Sequence, residues 1–125
     1  MASGKKCILV VEDDADTQEL LSFLLKLKEY EVQTATTIAE ARQIVSEKDF
    51  NLYLIDNLLP DGQGVELCRQ LRALNRRGAI LFISADTRAA VRAQAIVAGA
   101  CDFLNKPFDV HELERTIAGL LKEVE

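Results

Sequence analysis

Residues that can bind a metal ion or a phosphoryl group follow several short apolar runs of this sequence. Glu12 and Asp13 follow the first run, Asp56 ends another, Ser84 ends a third, and Lys106 lies near the C-terminus. Each run is predicted to be a buried strand with its polar residue at the carboxyl end. In an open α/β sheet those ends line one crevice, where ligands bind. Three carboxylates, a hydroxyl and an amine in one crevice indicate a site for a divalent cation and a phosphoryl group.

The composition indicates a single soluble globular domain over residues 1–125. Apolar residues make up 49% of the chain and charged residues 28%, which is ordinary for such a domain. The net charge of −5 argues against direct binding to nucleic acid or to an anionic membrane. No apolar run approaches the roughly 20 residues that span a bilayer, and the N-terminus lacks the apolar core of a signal peptide. We therefore expect a cytoplasmic protein with no membrane partner.

The three cysteines, Cys7, Cys68 and Cys101, are far apart in the sequence and show no CxxC spacing. This pattern is typical neither of a metal site nor of a disulfide framework. We expect them to be small buried apolar side chains in a reducing compartment.

Apolar runs alternate with helical patterns along the whole chain, so the sequence predicts five strand–helix units. Asp14 and Asp109 are positioned to cap helices one and five, Thr37 and Glu40 form a capping box at helix two, and Gly99 is predicted to end helix four. Helix three carries apolar residues at helical spacing on one face, whereas alanines leave helix four without a defined apolar face. The apolar positions of helix three are Leu67, Cys68, Leu71 and Leu74. The predicted strands are 6–11, 31–35, 52–56, 79–84 and 101–104, and predicted helix four spans about 87–98.

The apolar character of the strands indicates how the sheet is covered. Strands one, three and four are apolar without alternation, which is typical of parallel strands with helices on both faces of the sheet. With right-handed crossovers, five such units give a flavodoxin-like (βα)5 three-layer α/β sandwich with strand order 2-1-3-4-5. That order places strands one and three side by side, so Glu12, Asp13 and Asp56 are predicted to be neighbours.

Four segments together are characteristic of a known family. They are ILVVEDD at 8–14, D-x-x-x-P-x-x-x-G at 56–64, ISA at 83–85 and FLNKPF at 103–108. In this order and spacing, the chain from Lys6 to about Glu123 resembles the receiver domain of two-component response regulators. The resemblance covers almost the whole sequence and implies a receiver core over about residues 6–123.

The resemblance implies a role for each residue of the predicted crevice. Asp56 corresponds to the phosphoacceptor. Glu12 and Asp13 correspond to the acidic pair that holds Mg²⁺, with Asp13 the direct ligand, and Leu58 would offer its backbone carbonyl to the metal. Lys106 would bind a phosphoryl oxygen, as would the hydroxyl of the strand-four serine, Ser84. The peptide bond between Lys106 and the following proline is expected to be cis.

Four positions are implied to control the signal. Ser84 and Phe103 match the switch pair, in which the hydroxyl moves onto the phosphoryl group and the aromatic ring then turns inward. This movement would change the surface formed by helix four, strand five and helix five. Leu58 and Asp86 flank the site and are expected to tune the lifetime of the phosphoryl group.

The expected function is that of a phosphoacceptor in a two-component system or phosphorelay. Asp56 would take a phosphoryl group, with Mg²⁺, from a histidine kinase or a histidine phosphotransfer protein, and would pass the signal to a downstream effector that the sequence does not identify. The chain would slowly lose its own phosphoryl group but would not be a turnover enzyme. The alternative is a receiver-like binding module that acts without phosphorylation.

Two other classes of protein share one feature with this sequence, but each requires a second feature that the sequence lacks. Haloacid-dehalogenase-type phosphatases also use a strand-end aspartate with Mg²⁺, but they need an acid two residues later, where this chain has Leu58. A flavodoxin-type cofactor site would need a loop rich in glycine and hydroxyl groups after strand one, where this chain has Glu12, Asp13 and Asp14.

Overall fold

A computed structural model describes residues 4–123, and for Glu123 it describes the backbone alone. Five β-strands and five α-helices alternate along the chain, and a two-stranded hairpin lies between the third strand and the third helix. The strands are β1 (Cys7–Val11), β2 (Glu31–Ala35), β3 (Leu52–Asp56), β4 (Leu58–Leu59), β5 (Gly62–Gln63), β6 (Ala79–Ser84) and β7 (Asp102–Asn105). The helices are α1 (Ala15–Leu27), α2 (Ile38–Glu47), α3 (Gly64–Ala73), α4 (Ala89–Ala98) and α5 (Val110–Glu123).

The main sheet has five parallel strands in the order β2-β1-β3-β6-β7. The short strands β4 and β5 pair only with each other, as an antiparallel hairpin. Strands β6 and β7 are therefore the predicted fourth and fifth strands, and the predicted order 2-1-3-4-5 is confirmed. The flavodoxin-like fold is confirmed with it, and β1 lies directly beside β3.

Alternate residues of each central strand pack into different apolar layers. Leu9 of β1 and Tyr53 of β3 face one layer, with residues of α2, α3 and α4. Ile8 of β1 and Leu52 of β3 face the other layer, with residues of α1 and α5. Both faces of the sheet are thus buried, which explains why these strands show no alternation between apolar and polar residues.

Side chains identified in the sequence define several helix boundaries. Asp14 Oδ2 accepts a hydrogen bond from Thr17 N at 2.9 Å, and Thr37 Oγ1 accepts one from Glu40 N at 3.0 Å, so both residues cap helices as predicted. Gly99 ends α4 in the left-handed conformation, with φ of 118°.

Helix α4 begins at Ala89, two residues later than predicted. Asp86 Oδ1 accepts a hydrogen bond from Arg88 N at 3.0 Å. A carboxylate that binds the backbone two residues ahead competes with helical hydrogen bonding. This turn explains why the helix does not include Thr87 and Arg88.

Two predictions about apolar side chains are wrong. Leu74 is 51% exposed because α3 ends at Ala73 and the chain turns there. Cys7 is half-buried and Cys101 is exposed, so only Cys68 is a buried thiol, although all three cysteines are free as expected. Among the described residues, no helix is long and apolar enough to cross a membrane.

We predict that Gly119→Ala stabilises the domain. Gly119 lies within α5, and a Cβ atom at this position would have no neighbour within 4 Å. Alanine should therefore add helix propensity without a clash and raise the free energy of unfolding by about 0.5–1 kcal/mol. Urea denaturation followed by circular dichroism would measure the change. The reverse substitution at its exposed neighbour, Ala118→Gly, should lower stability by a similar amount, and equal stabilities would contradict the prediction.

Candidate functional site

Three carboxylates meet at the carboxyl ends of the two central strands. Glu12 and Asp13 follow β1, and Asp56 is the last residue of β3. Each offers one oxygen to a group in which all the oxygens lie within 4.8 Å of one another. Glu12 is 2% exposed and Asp56 8% exposed, whereas Asp13 is open to solvent. The predicted acidic group is thus assembled by the adjacency of β1 and β3.

Lys106 supplies a positive charge to this group. Its Nζ donates hydrogen bonds to Glu12 Oε1 at 2.7 Å and to Asp56 Oδ2 at 3.3 Å. Burial alone would lower the pKa of Lys106, but the hydrogen bond to Glu12 and the charges of Asp56 and Glu12 outweigh burial and raise the pKa. The amine is therefore protonated at neutral pH. The Lys106–Pro107 peptide bond is cis as predicted.

The backbone and side chain of Glu12 are fixed from several directions. Glu12 N donates to Ala35 O at the end of β2, at 3.0 Å, and Asp14 N donates to Glu12 Oε2 at 3.1 Å. Gln18 Nε2, from the first turns of α1, donates to Glu12 O at 2.9 Å. Gln18 is not among the residues predicted from the sequence. Its position six residues after Glu12 gives no local pattern that would have revealed this contact.

Ser84, at the end of β6, lies beside the carboxyl end of β3. Its side chain is 1% exposed, and Oγ accepts a hydrogen bond from Asp86 N at 3.0 Å. The Asp86 carboxylate turns to Arg88, whose Nη2 lies 2.6 Å from Oδ2. The hydrogen bond from the Arg88 side chain lowers the pKa of Asp86. The Ser84 hydroxyl therefore anchors the loop between β6 and α4. Asp86, which is expected to tune the lifetime of the phosphoryl group, is already paired with Arg88.

A close backbone approach fixes the loop that follows Asp56. Gly64 N donates to Asn57 O at 2.7 Å, and Asn57 N donates to Ile83 O at 3.2 Å. A Cβ atom on Gly64 would lie 2.3 Å from Asp56 O, so only glycine fits this position. Leu58, in β4, is 62% exposed at the rim of the site. The loop thus packs tightly against the Asp56 backbone at Gly64.

Phe103 is buried beneath α4 in this structure. The side chain is 3% exposed, and its ring lies 5.9 Å from the ring of Phe82 and 5.0 Å from the guanidinium carbon of Arg92. An arginine at this distance from an aromatic face is attracted by the ring quadrupole. The ring therefore occupies the expected inward position in this structure, and Arg92 covers it.

The donor set fits Mg²⁺. This ion prefers hard oxygen ligands and usually takes one or two carboxylates together with water and phosphate oxygens. The described residues supply three such carboxylates, one of them exposed, and a lysine that can neutralise part of their charge. A carboxylate nucleophile, a cation and a hydroxyl at one crevice can together accept a phosphoryl group.

The sequence of this chain matches one family over most of its length. A family model described as the response regulator receiver domain matches residues 8–118. The chain belongs to this family. Receiver domains of this type are parts of the response regulators of two-component systems, and the resemblance seen in the four sequence segments is confirmed.

Curated relatives of this receiver domain are regulators of greater length. The chain is 33% identical to the transcriptional regulatory protein GltR of Pseudomonas aeruginosa over 127 aligned residues, which cover all of this chain and 52% of GltR. It is 35% identical to the aerobic respiration control protein ArcA of Escherichia coli K12 over 114 residues, which cover 91% of this chain and 48% of ArcA. The chain thus spans about half the length of these two relatives.

Solved receiver structures share the whole fold. A CheY-like response regulator receiver domain from Methanospirillum hungatei has a TM-score of 0.92 and 28% sequence identity, with 96% of each chain covered. A structure described as a response regulator from Chloroflexus aurantiacus has a TM-score of 0.88 and 31% identity, with 94% of this chain and 98% of that chain covered. This chain therefore shares the receiver fold over almost its whole length.

We predict that Gly64→Ala destabilises the receiver domain. The added Cβ would overlap Asp56 O at 2.3 Å and the Ile55 side chain at 2.8 Å, so the end of β3 must move. Overpacking of this kind costs about 1–3 kcal/mol. The midpoint of urea denaturation should be compared with that of Gly119→Ala. This control separates the effect of the clash from the general effect of a glycine-to-alanine change. Unfolding of Gly64→Ala at the wild-type midpoint would show that the close approach is not constraining.

Proposed function

We propose that this receiver domain accepts a phosphoryl group on Asp56 from a phosphohistidine. An Asp56 carboxylate oxygen forms a bond to phosphorus while the bond between phosphorus and the donor imidazole nitrogen breaks, and the imidazole leaves with that electron pair. The observation that carries the proposal is the contact of Lys106 with both Asp56 and Glu12 at the ends of adjacent strands. This contact places a cation beside the only carboxylate that ends a buried strand in the described acidic group.

Lys106 and Ser84 stabilise the charge that develops in this step. The Lys106 ammonium lies 3.3 Å from the Asp56 carboxylate. It can therefore bind a phosphoryl oxygen as negative charge develops there during transfer to Asp56. Ser84 Oγ accepts its hydrogen bond from Asp86 N, so the hydroxyl hydrogen can be donated to a phosphoryl oxygen when the side chain turns towards it. Donors that are preorganised where charge develops contribute strongly to such reactions.

Glu12, Asp13 and Asp56 would hold Mg²⁺, together with the backbone carbonyl of Leu58. Bound there, Mg²⁺ neutralises phosphoryl charge and orients the transferring group. Asp13 is the most accessible of the three carboxylates, which suits a direct ligand. Glu12 is buried and bound by Lys106, which suits a residue that shapes the site.

The domain would lose its own phosphoryl group slowly and would not turn over an external substrate. Leu58 is exposed and apolar, so it cannot position an attacking water. The carboxylate of Asp86 is engaged by Arg88 through two nitrogens, Nε and Nη2. We propose that these two positions tune the lifetime of the aspartyl phosphate, with Asp86 acting while paired to Arg88.

The donor would be a histidine kinase or a histidine phosphotransfer protein, and the effector would lie downstream of it. An apolar groove opens beside Lys106 and offers a surface on which a donor could present its histidine. Its lining residues are Thr17, Leu20, Ala85, Lys106, Pro107, Phe108 and Val110. The three free thiols fit a reducing compartment, and we propose that the domain acts in the cytoplasm.

We predict that acetyl phosphate adds one phosphoryl group to the wild-type domain when Mg²⁺ is present. Intact-mass spectrometry should show the adduct with Mg²⁺ but not with excess chelator, and Asp56→Asn should abolish it because the nucleophile is gone. Circular dichroism of the variant provides the control for folding. No adduct on a folded wild-type domain under any of these conditions would instead favour a binding module that acts without phosphorylation.

We propose further that phosphorylation stabilises the buried position of Phe103. When the Ser84 hydroxyl moves to the phosphoryl group, it releases Asp86 N and frees the β6–α4 loop to shift. A shift of that loop would move α4 and Arg92 against the Phe103 ring. The surface formed by α4, β7 and α5 would then favour one of its packings, as a population shift requires.

We predict that beryllofluoride with Mg²⁺ changes the NMR resonances of the Phe103 ring. The change should depend on Asp56, so Asp56→Asn provides the control. Arg92→Met should raise the mobility of the ring before beryllofluoride is added, because it removes the cation above the ring face. An unchanged Phe103 environment in a protein that binds beryllofluoride would refute the switch and leave phosphorylation untouched.

A further inference from the structure

The hairpin formed by β4 and β5 is attached to helix α2 by one carboxylate. Asp61, between the two strands, accepts a hydrogen bond from Ile38 N at 2.9 Å through Oδ1 and from Ala39 N at 3.0 Å through Oδ2. These residues lie 23 and 22 positions away in the sequence. Gly62 adds a close packing contact, since a Cβ there would lie 3.0 Å from the Ile38 side chain.

The Asp61 contacts differ in kind from the local cap of α2. Thr37 Oγ1 already binds Glu40 N, as an N-cap residue does. Asp61 comes from another part of the fold and accepts hydrogen bonds from the two amides before Glu40, those of Ile38 and Ala39. These hydrogen bonds lower the pKa of Asp61. Thr37 therefore stabilises the helix alone, whereas Asp61 also restrains the hairpin.

The two ends of this attachment lead to opposite halves of the acidic group. On one side, the hairpin continues directly from Asp56 and contains Leu58. On the other side, α2 follows β2, whose last residue, Ala35, accepts the hydrogen bond from Glu12 N at 3.0 Å. Lys106 connects the two halves directly, because it binds both Glu12 and Asp56. Asp61 thus closes a ring of contacts around the site.

We propose that Asp61 is a positioning residue that sets the affinity of the site for Mg²⁺. It holds the Leu58 backbone at a fixed distance from Glu12 and Asp13, so that metal binding need not order the hairpin. Without Asp61, that ordering would reduce the free energy available for binding. The proposal rests on the proposed function, because it assumes that the acidic group binds Mg²⁺.

The experiment compares Asp61→Ala with Thr37→Ala, two variants that each remove hydrogen bonds from the start of α2. Titration with magnesium chloride, followed by NMR of the amides around Asp13 and Asp56, gives the dissociation constant for each protein. Asp61→Ala should weaken Mg²⁺ binding by about 10-fold, as is typical when a residue that supports metal ligands is lost. Thr37→Ala should bind as the wild type does. Asp61→Asn keeps one acceptor oxygen and should lie between them.

A second readout confirms that the intended contact is broken. The amides of Ile38 and Ala39 should exchange hydrogen faster in Asp61→Ala than in the wild type. At saturating Mg²⁺, the rate of phosphorylation by acetyl phosphate should return towards the wild-type value, because Asp61 does not touch the reacting atoms.

The possible outcomes separate this proposal from the proposed function. Faster exchange at Ile38 and Ala39 with unchanged Mg²⁺ affinity would overturn the positioning role, as would an equal loss of affinity in Thr37→Ala. Should Asp61→Ala fail to fold, the same criteria apply to Asp61→Asn. A wild-type domain that binds no Mg²⁺ would overturn the proposed function itself, and the positioning role with it.

Discussion

The ammonium group of Lys106 lies 2.7 Å from Glu12 and 3.3 Å from Asp56, and the architecture of the site follows from this contact. Two of the three clustered carboxylates are almost entirely buried, and like charges at such distances repel strongly in a medium of reduced polarity. A cation at the same place offsets that repulsion. Burying an ion pair still costs desolvation energy, so the site depends on a rigid frame that holds the charges together.

That frame is the parallel sheet. Strands β1 and β3 are neighbours and end at the same level, so backbone pairing places the acids side by side. Lys106 reaches them from the far edge of the sheet because β7 ends beside Ser84, where Lys106 N donates to Ser84 O at 2.8 Å. Each side chain of the site therefore stands at or shortly after the end of a strand whose other residues are fixed by the core.

Features that follow from strand order were accessible to sequence reasoning. The uninterrupted apolar character of 52–56 and 79–84 indicated a sheet buried on both faces, and the polar residues after the strands indicated the crevice. Family resemblance then supplied roles that spacing alone leaves open, such as that of Asp56.

Contacts between distant side chains and backbone were not accessible in this way. Gln18, Asp61 and Arg92 each act across a turn or between elements, and their partners are fixed by the assembled structure rather than by a local pattern. The same holds for the late start of α4, since a short Asx turn at Asp86 overrides a helical composition. The inward ring of Phe103 depends on how α4 packs, which no periodicity in this alanine-rich helix reveals.

The division of the core into two layers has a further consequence for signalling. Phe103 belongs to the layer under α2, α3 and α4, whereas Leu20 and Phe108, which line the groove beside Lys106, lie on the side of α1 and α5. The proposed signalling surface nevertheless spans both sides, because α5 belongs to it and Val110, the first residue of α5, also lines the groove. A donor seated in the groove would therefore cover part of the surface that a partner reads, so the donor would have to leave before the signal could be read.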